Sequence, residues 1–529
     1  MRSVRARVQR LHPHPRSRPL LVALAAASSL LLLTVLPAGA SAATTTVKVN
    51  VARQHADLAR QAFLARMAAR AHPHAVAAAP QASPLAGTAG GAAASAFSTI
   101  RNVKQISRDT LPPLNGAEAD TQIEPDIAID PRNSKVIVTT FQQGRYDDGG
   151  SVDPGFATSQ DGGQTWADGN LPKLTVAVGG PFERASDPAV AFGPDGSNYI
   201  QTIPFNVTDC RSAIAIQRSG NGGLSFGRPV LTVDDNDCNI FNDKNWVAVD
   251  TFRSSPHFGR LYAVWSRFIT SGTVTVSPAV ISWSDDKGRT WTPFSLISAA
   301  SDNTEGVLPL VRPDGSVAVV YDLTVGTQDF EVSQTSHDGG ASWGPEVQIG
   351  QFLGVGVPHT RTGGLPSATV DPVTGDLYAT WQDARFNAAG LNDIVLSRSG
   401  DGGATWSPLA VVNPRKAGVT RFTPDVAAAG GGVHVTYRSR GGSGNAATIA
   451  EDYIASTDGG ASFGAEQVIG PPSATRWAAQ ASGGLFFWGD YMGVAATPTK
   501  AALVWCVSSK PPVAGAAFHQ TAWGAEVLR

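Results

Sequence analysis

Short apolar runs separated by turn residues recur from Thr99 to the end of the chain, and they follow one repeated order. Each module predicts an apolar first strand, often introduced by Asp-Pro or Pro-Asp, and then a second strand rich in Val, Tyr and Trp. A variable loop, a third strand, a polar turn and a fourth strand complete the module. The pattern is clearest where Asp187–Phe192, Asn198–Phe205, Arg211–Arg218 and Pro229–Val233 follow one another. The sequence therefore predicts an all-β fold.

The polar turn between the third and fourth strands carries a motif, Ser-x-Asp-x-Gly-x-Thr/Ser-Trp/Phe, that occurs six times. Its Asp or Asn positions lie roughly 52 to 65 residues apart, a period typical of four-stranded propeller blades. The carboxylate is suited to accept hydrogen bonds from turn amides, the glycine relieves a positive φ, and the aromatic ring packs between sheets. The copies are Ser159–Trp166, Ser219–Phe226, Ser284–Trp291, Ser336–Trp343, Ser399–Trp406 and Ser456–Phe463.

This motif resembles the Asp-box, or bacterial neuraminidase repeat, of sialidase-like β-propellers. The resemblance implies a propeller whose motifs lie on the face away from the ligand site. The last module ends before a fourth strand, and Ile100–Ser107 can supply that strand by pairing with the C-terminal blade, which closes the ring. We expect seven four-stranded blades, and six, the number in the sialidases, is the alternative. First strands are expected to start near Asp126, Asp187, Trp246, Val307, Ser367, Asp425 and Tyr491.

The N-terminus is typical of an exported protein. An arginine-rich start, the apolar run Leu20–Leu36 and the small residues Ala40-Ser41-Ala42 predict a Sec-type signal peptide over residues 1–42, cleaved after Ala42. Residues 43–97, rich in Ala, Gly and Pro, are predicted to be a linker or pro-segment, and residues 98–529 form the propeller. We therefore expect a secreted, extracellular protein.

Composition narrows the partners of the mature chain. No later apolar run reaches the roughly 18 residues that a membrane span needs. Without the signal peptide the formal net charge falls from −2 to near −8, which disfavours nucleic acid as a partner. We expect a monomer without a membrane span that binds a glycan or glycoconjugate.

The three cysteines are too few for a disulfide framework. Cys210 and Cys238 fall in loops that the repeat places on one face of neighbouring blades. This placement is compatible with a disulfide between them and equally with two free thiols. Cys506 lies in an apolar strand and is expected to be a buried free thiol.

Carboxylates and arginines converge on the face opposite the motifs, which suits a hydroxylated or anionic ligand. Asp126, Lys244 and Asp425 are among the charged residues expected there. For any single Asp at a strand start, capping of a turn is the alternative interpretation. The predicted ligand contacts are Arg145, Asp187, Asp243, Arg267, Asp383, Arg385, Arg438 and Asp490.

The resemblance to sialidases implies a Tyr nucleophile activated by a Glu, an Asp acid/base and a clamp of three arginines. Tyr491, at the start of the last blade, and Glu305 match the first pair, and Asp147 or Asp148 matches the acid/base. Two departures alter the clamp: Gln122-Ile123-Glu124-Pro125 replaces the family's Arg-Ile-Pro, and Tyr321-Asp322 stands where a clamp Arg is expected. The sequence thus predicts a propeller that binds or hydrolyses extracellular glycans, as an exo-sialidase-type glycosidase with an altered clamp. A non-catalytic glycan- or protein-binding propeller is the alternative.

No cofactor is expected. The ten histidines show no metal-ligand spacing. Asp234–Asp237 and Asp147–Asp153 are acidic enough to hold a structural calcium ion, with solvated acidic turns as the alternative.

Overall fold

A computed structural model describes residues 97–529, except 113, 115, 363 and 442–446. The predicted signal peptide lies outside these residues, and so does the predicted linker apart from Phe97. The described residues form β-strands and two short 3₁₀ turns, Val176–Val178 and Thr475–Trp477, without an α-helix. No helix of this part of the chain has the length and hydropathy needed to cross a membrane.

The strands follow the predicted modules closely. The N-terminal segment and the first two modules contain β1 (Thr99–Gln105), β2 (Glu118–Ile129), β3 (Ile137–Arg145), β4 (Ser151–Ser159), β5 (Ala167–Asn170), β6 (Arg184–Phe192), β7 (Asn198–Phe205), β8 (Arg211–Ser219) and β9 (Val230–Asn236). The next three modules contain β10 (Ile240–Val249), β11 (Leu261–Ser271), β12 (Val274–Val276), β13 (Ala279–Ser284), β14 (Ser295–Leu296), β15 (Asn303–Val311), β16 (Val317–Val325), β17 (Gln328–Ser336), β18 (Val347–Phe352), β19 (Ser367–Val370), β20 (Leu377–Asp383), β21 (Asp393–Ser399) and β22 (Ala410–Val411). The remaining strands are β23 (Val419–Ala429), β24 (Gly432–Gly441), β25 (Thr448–Ser456), β26 (Gln467–Val468), β27 (Ser473–Ala474), β28 (Gln480–Ala481), β29 (Leu485–Phe486), β30 (Gly493–Thr497), β31 (Lys500–Ser508) and β32 (Gln520–Leu528).

Within each module the strands pair in chain order and antiparallel, as in β15-β16-β17-β18 and β19-β20-β21-β22. Single pairings, Thr121 with Gln520 and Ser151 with Ala185, join the last hairpins and the first two modules into one larger sheet. The N-terminal strand β1 pairs antiparallel with β32, with Thr99 opposite Leu528. This is the pairing that the sequence predicted for the N-terminal segment.

The core consists of apolar layers between consecutive sheets. One layer contains Leu310 and Val320 from β15 and β16 together with Trp381 and Val395 from β20 and β21. The motif ring Trp406 packs against the same layer. Each sheet therefore buries its apolar residues against its neighbour, and the motif aromatic helps to fill the gap.

The repeated motif closes the turn between third and fourth strands as the sequence predicted. Asp401 accepts hydrogen bonds from the Thr405 amide at 2.9 Å and the Thr405 hydroxyl at 2.6 Å. The Ser399 hydroxyl donates to Asp401 at 2.8 Å and accepts from the Gly403 amide at 2.8 Å. These hydrogen bonds, the Thr405 hydroxyl first, lower the pKa of Asp401 to about 2.

Several first strands start earlier than predicted. β2 begins at Glu118 rather than near Asp126, and β10 at Ile240 rather than near Trp246. The cause is a register shift inside each strand, between Ile123 and Asp126 in β2, beyond which pairing continues. A bulge of this kind interrupts the regular strand pattern of buried and exposed side chains, so the sequence pattern marks only the later half of the strand.

Cys210 and Cys238 form a disulfide, with their Cα atoms 4.7 Å apart. The bridge joins the loop before β8 to the loop after β9. Cys506 is a buried free thiol, as predicted, and burial raises its pKa.

Candidate functional site

Bulged first strands define one end of the sheets, which we call the loop edge: the end where first strands start and second strands end. Register shifts occur in β2, β6, β10, β15 and β23. At four of them a residue other than glycine has a positive φ, namely Glu124 (51°), Asp187 (48°), Lys244 (45°) and Thr423 (51°). In β15 the corresponding residue is Gly306, which adopts 71° without steric cost. Residues other than glycine with a positive φ store about 1–3 kcal/mol of strain each and concentrate at ligand sites.

Two buried carboxylates and one buried amine lie within electrostatic range of one another at these bulges. Asp126 on β2 accepts the Val190 amide at 2.7 Å, and Asp425 on β23 accepts the Val494 amide at 2.6 Å. Burial raises the pKa of Asp126 to about 7 and that of Asp425 to about 6, while the amide bonds and the Lys244 charge act in the opposite direction. Groups from three sheets thus share one buried electrostatic environment.

Tyr491 belongs to the same cluster. Its hydroxyl donates to the Pro188 carbonyl at 3.1 Å, and the residue is 7% exposed. The Lys244 Nζ lies 3.8 Å from the centroid of the Tyr491 ring and 4.3 Å from that of Trp246, and the two rings meet edge to face at 5.2 Å. We call Asp126, Lys244, Trp246, Asp425 and Tyr491 the central cluster.

A hydrogen-bonded chain runs beside the central cluster. The Gln142 amide donates to Glu124 and, at 3.0 Å, to the Ser186 hydroxyl. The Ser186 hydroxyl in turn donates to the predicted ligand residue Asp187 at 2.5 Å. Glu124 and Asp187 are both buried. The chain links the bulges of β2 and β6.

The predicted residues Asp490 and Arg145 meet a residue that the sequence analysis missed, Arg361. Arg361 Nη2 lies 2.8 Å from the Asp490 carboxylate. The guanidinium groups of Arg361 and Arg145 lie 4.4 Å and 5.1 Å from the centroid of the buried Phe487 ring. Two arginines and one carboxylate therefore come together around one aromatic ring.

Two other predicted arginines bind internal carboxylates. Arg267 forms a bidentate ion pair with Asp235, with distances of 2.7 Å and 2.8 Å. Arg385 Nη2 lies 2.6 Å from the predicted ligand residue Asp383, which is fully buried. Fork-to-carboxylate pairs of this kind fix loop geometry.

Arg438 is also engaged inside the protein. It is 1% exposed and donates to the backbone carbonyls of Trp488 and Gly489 at 3.2 Å and 3.3 Å. Its Nε lies 3.7 Å from Glu451, whose pKa burial raises to about 8. Arg438 therefore holds the segment that leads into Tyr491.

The residues predicted as acid and base, and the predicted ligand residue Asp243, lie in three places. Asp147 and Asp148 are exposed in the turn after β3, where Asp148 lies 2.5 Å from Arg184 Nη1. Glu305 is half-buried on β15, directly opposite Asp322 of β16. Asp243 is buried and accepts the amide of Lys244, the next residue, at 2.9 Å.

Trp246, Arg361 and Glu124 had no assigned role at the sequence level. One signal for the bulges is present in the sequence, because Glu124, Asp187 and Thr423 each precede a proline. No comparable pattern marks Arg361, which lies in the long connection between β18 and β19.

In one of the two acidic turns considered for calcium, two carboxylates pair with arginine side chains instead. Asp234 pairs with Arg211 at 2.9 Å, next to the Asp235 pair described above. The described residues contain no group of three or more His, Cys, Asp and Glu side chains arranged to hold a metal ion.

Comparison with known proteins gives distant relatives. No protein-family model matches the sequence. A xyloglucanase of Hypocrea jecorina (strain QM6a) is 27% identical over 308 residues, which cover 54% of this chain and 32% of that enzyme. The chain thus spans about a third of the length of that relative.

Solved structures similar to this one include three carbohydrate-active enzymes. A leech intramolecular trans-sialidase is 13% identical, and the match covers 63% of this chain and 67% of the trans-sialidase chain with a TM-score of 0.43. An α-L-arabinanase of Penicillium chrysogenum is 14% identical over 65% of this chain and 94% of its own, with a TM-score of 0.44. An α-L-arabinofuranosidase of Fusarium graminearum is 13% identical, and the match covers 66% of this chain and 98% of the arabinofuranosidase chain with a TM-score of 0.43.

Proposed function

We propose that the described chain is a seven-bladed β-propeller. Supporting this, a side chain on one first strand bonds a backbone amide of the next: Asp126 to Val190, Ser367 to Val426 at 3.2 Å, and Asp425 to Val494. The seven first strands are β2, β6, β10, β15, β19, β23 and β30, which favours seven blades over six. Pairing of β1 with β32 supplies the fourth strand of the last blade.

The proposed function of the loop edge is glycan binding outside the cell, after export on the N-terminal signal. The observation that carries it is the central cluster, where bulges on different sheets bring carboxylates, an amine and two aromatic rings together. Carboxylates and ammonium groups bind sugar hydroxyls, and aromatic rings cover the apolar faces of sugars. The relationship to a xyloglucanase favours a glycan over a protein ligand.

Glycoside hydrolysis is the first form of this function. Tyr491 is the proposed nucleophile, Glu305 its base, and Asp147 or Asp148 the acid/base, as the sialidase resemblance implies. Lys244, 3.8 Å from the Tyr491 ring centroid, would stabilise a phenolate formed there.

Non-catalytic glycan binding is the second form, and one observation favours it. The Tyr491 hydroxyl donates a hydrogen bond to the backbone carbonyl of Pro188, a contact that holds the ring in a fixed position. In this form Tyr491 orders the floor of the binding site.

One experiment separates the two forms. The exported protein is assayed with xyloglucan, arabinan and an aryl sialoside, and both binding and product release are measured. Hydrolysis predicts turnover that Tyr491→Phe reduces by at least about a hundredfold while binding persists, because the ring under Lys244 remains. Pure binding predicts retention of glycan without product in either protein.

Tyr199→Phe is the matched control, because Tyr199 is a buried tyrosine at the opposite end of its sheet, near a first-to-second strand turn. It should leave binding and turnover unchanged. Absence of both binding and turnover with all three glycans would reject the proposed function.

A further inference from the structure

A cavity of about 390 Å³ lies between the fifth and sixth modules, and none of its lining residues belongs to the central cluster. Its walls are residues 411–415, which follow β21, together with Ile454 of β25 and residues 463–466 after the sixth motif. This volume is at the lower end of the range for small-ligand sites. We call this cavity the side groove.

The repeat itself explains why the side groove is open. After the motif aromatic, the third, fourth and fifth modules read Trp-x-Pro, as in Trp406-Ser407-Pro408. The sixth module reads Phe463-Gly464-Ala465, so a smaller ring and a smaller side chain stand at the same positions. Relative to those three modules, two large-to-small differences leave space beside the sixth motif.

The polar end of the side groove is a fixed charge network. Glu466 accepts the Tyr437 hydroxyl at 2.7 Å and Arg421 Nη2 at 3.2 Å, and it also binds Lys416. On the other wall Arg415 Nε lies 2.9 Å from Asp393. The carboxylates are thus held by cations inside the protein.

In two ion pairs of this groove the cationic side chains are exposed to solvent and the carboxylates are buried. The side chains of Arg415 and Lys416 are 45% and 54% exposed, whereas those of Asp393 and Glu466 are 0% and 3% exposed. Arg415 binds Asp393 through its Nε and its side chain is 45% exposed, so the guanidinium has further N–H donors to offer a ligand. The groove therefore offers an apolar wall, including Phe463 and Ile454, beside an accessible guanidinium.

We propose that the side groove binds an acidic sugar residue, a hexuronate, with its apolar ring face on Phe463 and its carboxylate on Arg415. The choice of a sugar rests on the proposed glycan function, and the choice of an acid rests on the exposed cations. The site is separate from the central cluster, so the protein carries two glycan contacts.

The test uses saturation-transfer NMR to compare methyl β-D-glucuronide with methyl β-D-glucoside, which differ only at C6, where the first has a carboxylate and the second a hydroxymethyl group. The glucuronide should bind at least about fivefold more tightly, and raised salt should remove the difference. Arg415→Gln should make the two ligands equal. Equal binding of the two sugars to the unaltered protein would overturn the proposal.

A filled-groove variant tests the location. Phe463→Trp combined with Ala465→Pro installs the residues of the third, fourth and fifth modules, so we expect the fold to be preserved and the glucuronide signal to disappear. Glu346→Gln in the fourth module, where Glu346 accepts the Tyr321 hydroxyl at 3.1 Å, is a control outside the groove and should change nothing.

The two proposals fail separately. If the filled variant keeps full glucuronide binding, the side-groove assignment is wrong while loop-edge binding of polysaccharide stands. If the filled variant loses the glucuronide but no polysaccharide binds at the loop edge, the proposed function fails and the side groove stands.

Discussion

Asp126 is a single residue whose protonation should be visible in the stability of the whole protein. It is 7% exposed, and burial raises its pKa from 3.8 to about 7. Between these values the folded state holds a proton that the unfolded state has lost, so the free energy of unfolding falls as the pH rises from about 4 to about 7. The contribution of Asp126 to this decrease in the free energy of unfolding is up to about 4 kcal/mol.

Asp126→Asn keeps an oxygen for the Val190 amide and removes the titration. We expect the variant to lose less stability than the unaltered protein between pH 4.5 and 7.5, measured by urea unfolding. Asp148→Asn, at an exposed turn position, is the control and should follow the unaltered protein. Identical pH dependence in all three proteins would show that Asp126 does not hold its proton in the folded state.

The repeated motif is the element that most directly links sequence to structure. Asp401→Ala removes the acceptor for the Thr405 amide and hydroxyl and leaves the buried Ser399 hydroxyl without its acceptor. We expect a loss of about 1–3 kcal/mol in the free energy of unfolding, measured by urea titration.

Asp401→Asn is the matched control, because the second module has Asn221 at this position. There the side-chain oxygen accepts the Ser225 amide at 3.1 Å and the side-chain nitrogen donates to the Ser225 hydroxyl at 2.9 Å. The Asn variant should therefore lose well under half of what the Ala variant loses. Equal losses in both variants would mean that the turn does not depend on these bonds.

Element-level features were predictable where the cause is local. The motif determines its own turn, and β7 spans Asn198–Phe205, the same residues that the repeated order of apolar runs and turns predicted. The bulges were only partly predictable in this way, because Glu124, Asp187 and Thr423 each precede a proline whereas no such local signal marks the positive φ of Lys244. The ion pair of Arg361 with Asp490 joins residues 129 positions apart, and no local pattern marks such a pair.

At the scale of the whole molecule, the predicted order of modules is present, and the pairing of the two ends of the chain decides how the last sheet is completed. β1 covers the outer edge of β32, and Phe97, which precedes β1, is 1% exposed with its ring 4.4 Å from that of His434. Without β1, the backbone groups of β32 would form an open sheet edge.

Two truncated proteins test this closure. A chain that starts at residue 97 keeps β1 and should unfold at the same urea concentration as a chain that starts at residue 43. A chain that starts at residue 107 lacks β1 and Phe97, and we expect it to lose more than about 3 kcal/mol of stability, from the buried Phe97 ring alone. Its exposed β32 edge should also cause self-association in size-exclusion chromatography. If both truncations unfold together and stay monomeric, the N-terminal strand is dispensable and the proposed ring closes without it.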